Sequence, residues 1–457
     1  MTVHTADVVI VGGGSGGYAA AIRASELGRR VIVVESDKVG GTCLHRGCVP
    51  TKALLHVGET ADAVRDAAGL GVTASLEGID VPAMHAFRTD LVAKKYKGLQ
   101  GLLRARGIEI LAGTGRIVGP GEVAVGDDRI TAADIVIATG AHTRTLPGID
   151  IGGRILSSEE ALALDEIPSR VVVLGGGVIG VEFASLWRSL GAEVVVVEAA
   201  SELVPAEDEI LRSQLARAFR KRGIETRLGS PFRAVEQDAD GVRLELADGT
   251  TVAGDYLLVA VGRAPSTAGL GLEEAGVALD RGFVVTDPEL RTSVPGIWAV
   301  GDVVAGPQLA HRGFQHGIAV AERIAGQSPV VVPDEVVPRI VYTSPELAAV
   351  GLTRAQAEER HGADAIRVVD YNLAGNARSE ILGGGGIARV IRRVDGPVIG
   401  VHLAGPRVGE LIASAQLVVG WEAHPEDIAP YLSAHPTQSE ALGEAFLALA
   451  GKPLHVL

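Results

Sequence analysis

DVVIVGGGSGGYAAAIRASELGRRVIVVE, Asp7 to Glu35, is the stretch on which the fold of this chain turns. A β-branched run, DVVIV, meets a glycine-rich turn that opens a helical stretch, YAAAIRASELG, and a second run, VIVVE, follows. That order predicts a strand, a tight turn, a helix and another strand. The same grammar returns at 171–198 as VVVLGGGVIGVEFASLWRSLGAEVVVVE, and in both copies 23 positions separate the first glycine from the closing glutamate. The chain is therefore read as α/β, with two Rossmann-like nucleotide-binding units.

In the first unit Gly12, Gly14 and Gly17 permit a tight turn and bring backbone amides at a helix N-terminus close to a pyrophosphate. Glu35 is then placed to accept from an adenosine ribose hydroxyl. Gly175, Gly177, Gly180 and Glu198 repeat the pattern. Glu198 also discriminates, because a carboxylate there bonds the 2′-hydroxyl of NAD and repels the 2′-phosphate of NADP. Ala199, Ala200 and Ser201 follow it and supply no arginine for a phosphate. The second unit is expected to bind NAD.

The 457 residues exceed one domain of roughly 100 to 200 residues, so several domains are expected. Sixty glycines are close to double the usual share of about 7%, without a collagen period. A net charge of −14 opposes phosphate backbones and excludes nucleic acid as a partner. No apolar run reaches the roughly 18 uncharged residues of a membrane span. No export signal is visible, and only two cysteines suit a reducing compartment, so a cytoplasmic protein is expected.

Between the units, 48–66 and 84–105 read as helices, 108–118 as short strands and ADIVIATG as a buried strand. After the second unit, 207–222 reads as a helix and 232–261 as a small β meander, and GIWAVGDV at 297 leads into another helix. From 338 the grammar is α+β, with strands near 339–342, 365–371 and 387–403 and helices near 408–422 and 438–450. Boundaries fall near 148, 275 and 335.

Both cysteines, Cys43 and Cys48, lie in GGTCLHRGCVPTK at 40–52. Four intervening residues can close a small disulfide ring, and a helix start beside it would stabilise a leaving thiolate. Spacing alone is met as simply by two buried structural thiols. Zinc would need two further ligands of suitable spacing, so no metal site is expected.

GGTCLHRGCVPTK joins GGYAAAIRA at 16–24, ATG at 138–140, GGGVIGVEFASLW at 175–187, GRAPST at 262–267, AVGD at 299–302, VYTSPELAAVG at 341–351 and HPTQSEAL at 435–442. Together they resemble the pyridine nucleotide–disulfide oxidoreductases over nearly the whole chain. The resemblance implies an FAD-binding domain at 1–148, an NAD-binding domain at 149–275, a return to the FAD domain at 276–335 and an α+β dimerisation domain at 336–457. It places FAD on the first glycine-rich turn, with Glu35, Thr42, Lys52, Thr139, Gly140 and Asp302. Asp302 resembles the acid that bonds the flavin's ribityl chain. NAD falls on the second turn, with Glu198 and Gly262.

The same resemblance makes Cys43 and Cys48 a redox-active disulfide, Cys43 exchanging with substrate and Cys48 facing the flavin. Lys52 resembles the lysine beside the reactive flavin nitrogen, and Glu182 its paired carboxylate. By its own residues Lys52 reads as a solvated helix position, yet Glu182 is an acid on an apolar stretch, where a buried charge would need a partner. His435 and Glu440 resemble the base pair that reaches the disulfide of the opposite subunit in a homodimer. An imidazole titrating near neutrality can take a thiol proton, and a carboxylate on its other nitrogen fixes the tautomer.

The branch most resembled oxidises protein-bound dihydrolipoamide to lipoamide with reduction of NAD⁺. It serves 2-oxo acid dehydrogenase complexes or the glycine cleavage system, with lipoyl domains and an acyltransferase core as partners. The alternative is an NAD(P)H-dependent reductase of a small disulfide such as mycothione. A non-catalytic flavoprotein subunit would need none of Cys43, Cys48, His435 and Glu440. Departures from the family pattern are His45 and Arg46 in the cysteine loop, Ser433 before the HPT motif, and HRGFQHG at 311–317, which reads as a solvated helix face with no role for His316.

Overall fold

The computed structural model describes residues 2–455. Five helices frame the chemistry: α1 (Ser15–Glu26), α2 (Cys48–Asp66), α3 (Val178–Leu190), α4 (Ala310–Ile324) and α5 (Glu440–Leu449). The strand Val3–Val11 pairs in parallel with Val31–Glu35 on one side and with Asp128–Ile137 on the other. Val8, Val9, Ile10 and Val31–Val34 are buried, which is why these runs are continuously apolar rather than alternating. Ile297–Ala299 returns from far along the chain to pair in parallel with Asp128–Ile137. That return carries AVGD to the C-terminal edge of the first sheet, beside the first glycine-rich turn.

A second, fully parallel sheet has the order Glu225–Arg227, Glu193–Val197, Arg170–Leu174, Tyr256–Val259, Ile155–Leu156. The meander expected over 232–261 is shorter than its sequence suggested. Only Phe232–Gln237, Val242–Leu246 and Thr251–Gly254 form it, and Tyr256–Val259 leaves to lie in parallel beside Arg170–Leu174. Leu257, Leu258 and Val259 are all buried, the property of a central parallel strand and not of a half-exposed hairpin.

The third sheet is antiparallel, in the order Arg339–Val341, Glu346–Gly351, Val398–Gly405, Ile387–Arg393, Ile366–Asn372. Glu346–Gly351 was not anticipated as a strand, because Pro345 and two alanines mask a run whose Leu347 to Val350 are buried. The helix expected from 84 begins at Val81, capped by the Asp80 carboxylate, which accepts from the Ala83 amide. Among the described residues no helix is long and apolar enough to cross a membrane.

The segment 311–317 overturns the expectation of a solvated face. Arg312 and His316 are each only 4% exposed. Gly317 explains the burial: a Cβ there would stand 2.3 Å from the Gly16 carbonyl oxygen, so α1 and α4 cross too closely for any larger residue. The Arg312 guanidinium is satisfied by the Asp334 carboxylate at 2.6 Å and the Ala305 carbonyl at 2.6 Å. Burial, then the Arg312 charge, lowers the pKa of His316 to about 4. It is a neutral packing residue, not a surface one.

Candidate active site

The cysteine loop rests directly on the first glycine-rich turn. Gly41 has φ +57°, and a Cβ there would lie 2.7 Å from Gly14 Cα, so glycine at 41 is what lets the two loops touch. From Gly41 the chain makes one short helix, Gly41–His45, that presents Cys43, and Cys48 then opens α2. Both thiols are free in this structure, and each acts on the titration of the other. The contact with Cys48, then burial, pushes the Cys43 thiol far up. The same contact, followed by the Lys52 charge and against the cost of burial, brings Cys48 down to about 7. Cys48 is thus the sulfur prepared to be a thiolate, at the N-terminus of α2 where the helix dipole also favours a negative charge.

Lys52 follows Cys48 by one helical turn, so the two side chains share a face. Its ammonium lies 2.6 Å from Glu182 Oε2, and Glu182 is 4% exposed. Glu182 Oε1 accepts the Tyr342 backbone N–H at 3.0 Å, and the Tyr342 ring lies under the ammonium, 4.6 Å to the centroid. The structure brings together the lysine and the acid that the sequence suggested. Tyr342 is the member the sequence did not suggest, although it lies in the quoted VYTSPELAAVG.

The dithiol form should show this directly. As pH rises through about 7, the thiolate difference absorbance of the reduced protein should grow in. Cys48→Ser should lack that step, and Lys52→Met should move it to higher pH by removing the charge that opposes burial. A midpoint unmoved by Lys52→Met would show that the ammonium does not act on the sulfur.

The two glycine-rich turns have the same local geometry. A Cβ on Gly17 would stand 1.9 Å from the Gly12 carbonyl oxygen, and one on Gly180 1.9 Å from that of Gly175. Glu35 Oε2 accepts the Gly13 amide at 2.7 Å and Oε1 the Asp37 amide at 2.8 Å. Glu198 accepts the Gly176 amide at 2.6 Å and the Ala200 amide at 2.7 Å. A Cβ at Gly14 or Gly177 would meet no protein atom closer than 3.9 Å, which leaves open the side from which a pyrophosphate must approach.

The remaining residues fit a flavin dinucleotide on the first turn. Asp302 is half-buried, its carboxyl makes no hydrogen bond among the described residues, and desolvation raises its pKa against the nearby Arg263 and Arg312 charges. A half-buried carboxylate of this kind gains from donors, and a polyhydroxyl chain is one source. Thr139 instead spends its hydroxyl on the Ser266 carbonyl at 2.7 Å, which ties the ATG turn to the GRAPST segment. Gly140 and Gly262 both take positive φ, +69° and +111°. Thr42 is exposed at the mouth of the loop. Arg263 was not singled out in the sequence, yet it faces both Asp302 and Cys48.

The departures in the cysteine loop have structural tasks. The His45 ring contacts the Val39 carbonyl at 2.9 Å and meets Tyr96 edge-on, centroids 4.9 Å apart. Arg46 pairs with Asp37 and, at 3.0 Å, with Glu159.

On the third sheet's side, His435 Nδ1 lies 2.8 Å from Glu440 Oε1, and Glu440 Oε2 accepts the Thr437 amide at 2.7 Å. Burial opposes the charge on Glu440, but the Thr437 amide and His435 outweigh it and hold the carboxyl below its ordinary range. The His435 side chain is 74% exposed. Among the described residues no hydrogen bond or ion pair joins His435 or Glu440 to the cysteine loop of the same chain. One chain thus holds two half-sites, a dithiol and an acid–base pair, facing outward separately.

Residues 6–317 match the family described as pyridine nucleotide-disulphide oxidoreductase, and 337–446 match its dimerisation domain. The chain is 40% identical to a dihydrolipoyl dehydrogenase of Thermus scotoductus over the whole of both chains. It is 37% identical to a dihydrolipoyl dehydrogenase of Bacillus subtilis, covering 99% of this chain and 98% of that one. Among solved structures, LpdA from Mycobacterium tuberculosis superposes with a TM-score of 0.91 at 30% identity, covering 98% of this chain and 100% of that one. With two glycine-rich cradles, a facing cysteine pair and matches that span both halves, this chain belongs to the pyridine nucleotide-disulphide oxidoreductase family.

Proposed function

We propose that this protein is a homodimeric oxidoreductase that converts dihydrolipoyl groups to lipoyl groups with NAD⁺, using FAD. The observation that carries the reading is the pairing of Cys43 and Cys48, the latter opening a helix one turn before Lys52, with a separate, outward-facing His435–Glu440 pair on the dimerisation domain. In a twofold dimer the pair of one chain meets the cysteines of the other. His435 Nε2 takes the proton of a substrate thiol while Glu440 holds Nδ1. The substrate thiolate attacks Cys43 Sγ of the Cys43–Cys48 disulfide, a substrate–Cys43 bond forms, and Cys48 leaves as the thiolate that Lys52 stabilises. The second substrate thiol then displaces Cys43, releasing the cyclic disulfide. FAD and NAD⁺, when bound, supply the two-electron acceptors that restore the protein disulfide.

Glu198 favours NAD over NADP, since its carboxylate stands where a 2′-phosphate would need positive charge. The acidic chain suits docking on a basic segment of an acyltransferase core that carries lipoyl domains, in the cytoplasm. The test is turnover of dihydrolipoamide with NAD⁺ and NADP⁺ in parallel, beside NADH-dependent reduction of mycothione. NAD⁺ should be used at least roughly tenfold better than NADP⁺, the ratio of one unfavourable charge contact at Glu198, and dihydrolipoamide should turn over in preference to mycothione. Preferential mycothione reduction would replace the proposal with the small-disulfide reading.

A further inference from the structure

α5 carries a second histidine–glutamate pair, built like the first. Glu444 follows Glu440 by four residues, so their carboxylates stand one turn apart on one helix face. Glu444 Oε1 lies 2.8 Å from His455 Nδ1, and Oε2 accepts the backbone N–H of residue 455 at 3.0 Å. Glu440 repeats that plan with His435 Nδ1 and the Thr437 amide. Glu444 is the more buried, its side chain 11% exposed against 25% for Glu440. The segment after α5 is therefore folded back so that an imidazole, itself 66% exposed, contacts the carboxylate one helical turn from that of the proposed base pair.

We infer that His455 is a positioning residue for His435: by engaging Glu444 it keeps a second buried carboxylate from competing with Glu440 for the base. The inference rests on His435 being the base of the proposed function. The charged and titratable groups around the two pairs are Glu440 and Glu444 on α5, His435 before it, His455 after it and Tyr371 on the strand Ile366–Asn372, while Arg392 on the strand Ile387–Arg393 meets the far end of α5 at the Leu449 carbonyl and is paired there with Glu426. Each acts on others of the set: after burial, Glu444 and then Glu440 push the Tyr371 hydroxyl up, and the charge of His455 reaches Glu440.

Without the His455 ring, Glu444 keeps, among the described residues, one backbone donor for its two oxygens. Its uncompensated charge then acts across one helical turn on His435 and stabilises the imidazolium. The proton leaves at higher pH, and His435 can act as a base only once it has left. At the one-turn spacing of a helix, roughly 6 Å, and in partly solvated surroundings, one added charge corresponds to a rise of about half a pH unit to one.

His455→Ala should therefore move the acidic limb of kcat/KM for dihydrolipoamide up by about half a unit to one. His455→Ala combined with Glu444→Gln, which removes the charge as well, should return the limb to its wild-type position. His455→Asn, whose amide can still donate to Glu444, should stay near wild type. A second readout needs no substrate: the pH profile of His435 carbethoxylation by diethyl pyrocarbonate, followed on its own peptide, should shift by the same amount. An unmoved profile in His455→Ala, or a double variant as displaced as the single, overturns the inference and leaves only a tail that packs. Should wild type fail to oxidise dihydrolipoamide while the carbethoxylation profiles behave as stated, the proposed substrate is wrong and the role of His455 stands.

Discussion

Mixing Cys43→Ser chains with His435→Gln chains should restore turnover that neither homodimer possesses. In the Cys43→Ser dimer no disulfide can form at either site. In the His435→Gln dimer the base is missing, which costs roughly 10²–10⁴-fold in rate. The structure motivates the mixture, because His435 is 74% exposed and, among the described residues of its own chain, is tied to Glu440 alone. In a twofold dimer whose sites are shared, the heterodimer has one site with both lesions and one with neither. It should run at about half the wild-type rate, one of its two sites being intact. If His435 instead served the cysteines of its own chain, both sites would be defective and the mixture would stay as slow as its parents. Refolded mixtures separated by differently charged tags and assayed with dihydrolipoamide and NAD⁺ decide between the two.

The parts of the site that were legible in the sequence are those in which chemistry and local geometry share a short stretch. Gly12 to Glu35 and Gly175 to Glu198 declare turn, helix and acid within one unit, and both acids are found on the turn amides at the same atoms. Glu182 was legible for a different reason, as a charge on an otherwise apolar helix face, and Lys52 is its partner. What stayed hidden depends on long-range packing. Arg312 and His316 are polar, and a polar face is normally solvated; only the 2.3 Å approach at Gly317 shows that a second helix lies on it. Tyr256–Val259 continues a meander in sequence, yet its consecutive buried residues belong to a parallel sheet whose other strands lie far away. His455 had no signal at all, because Glu444 looks like any acid on an amphipathic helix until the chain returns to it.

The buried pair of Lys52 and Glu182 invites a test that separates holding the fold from tuning the sulfur. Lys52→Met leaves Glu182, 4% exposed, with the Tyr342 amide as its one donor among the described residues. Breaking a buried pair in this way costs about 3–5 kcal/mol. Because the Lys52 side chain is itself 34% exposed, and solvent already screens it, a loss of about 2–3 kcal/mol is expected. Replacing both members, as Lys52→Met with Glu182→Leu, removes the charge and its counter-charge together and should recover most of that stability. Turnover should not recover with it. Both variants lack the ammonium that favours the Cys48 thiolate, and each unit by which that thiol rises is worth tenfold. The double variant should therefore melt close to wild type while reacting up to roughly tenfold more slowly, about one unit of thiol titration at most, because the lost Glu182 charge, which opposes the Cys48 thiolate less strongly than Lys52 favours it, offsets part of the effect. Recovery of rate along with stability would mean that Lys52 matters only as the counter-ion of Glu182, and that the depressed titration of Cys48 comes from Cys43 and the helix start alone.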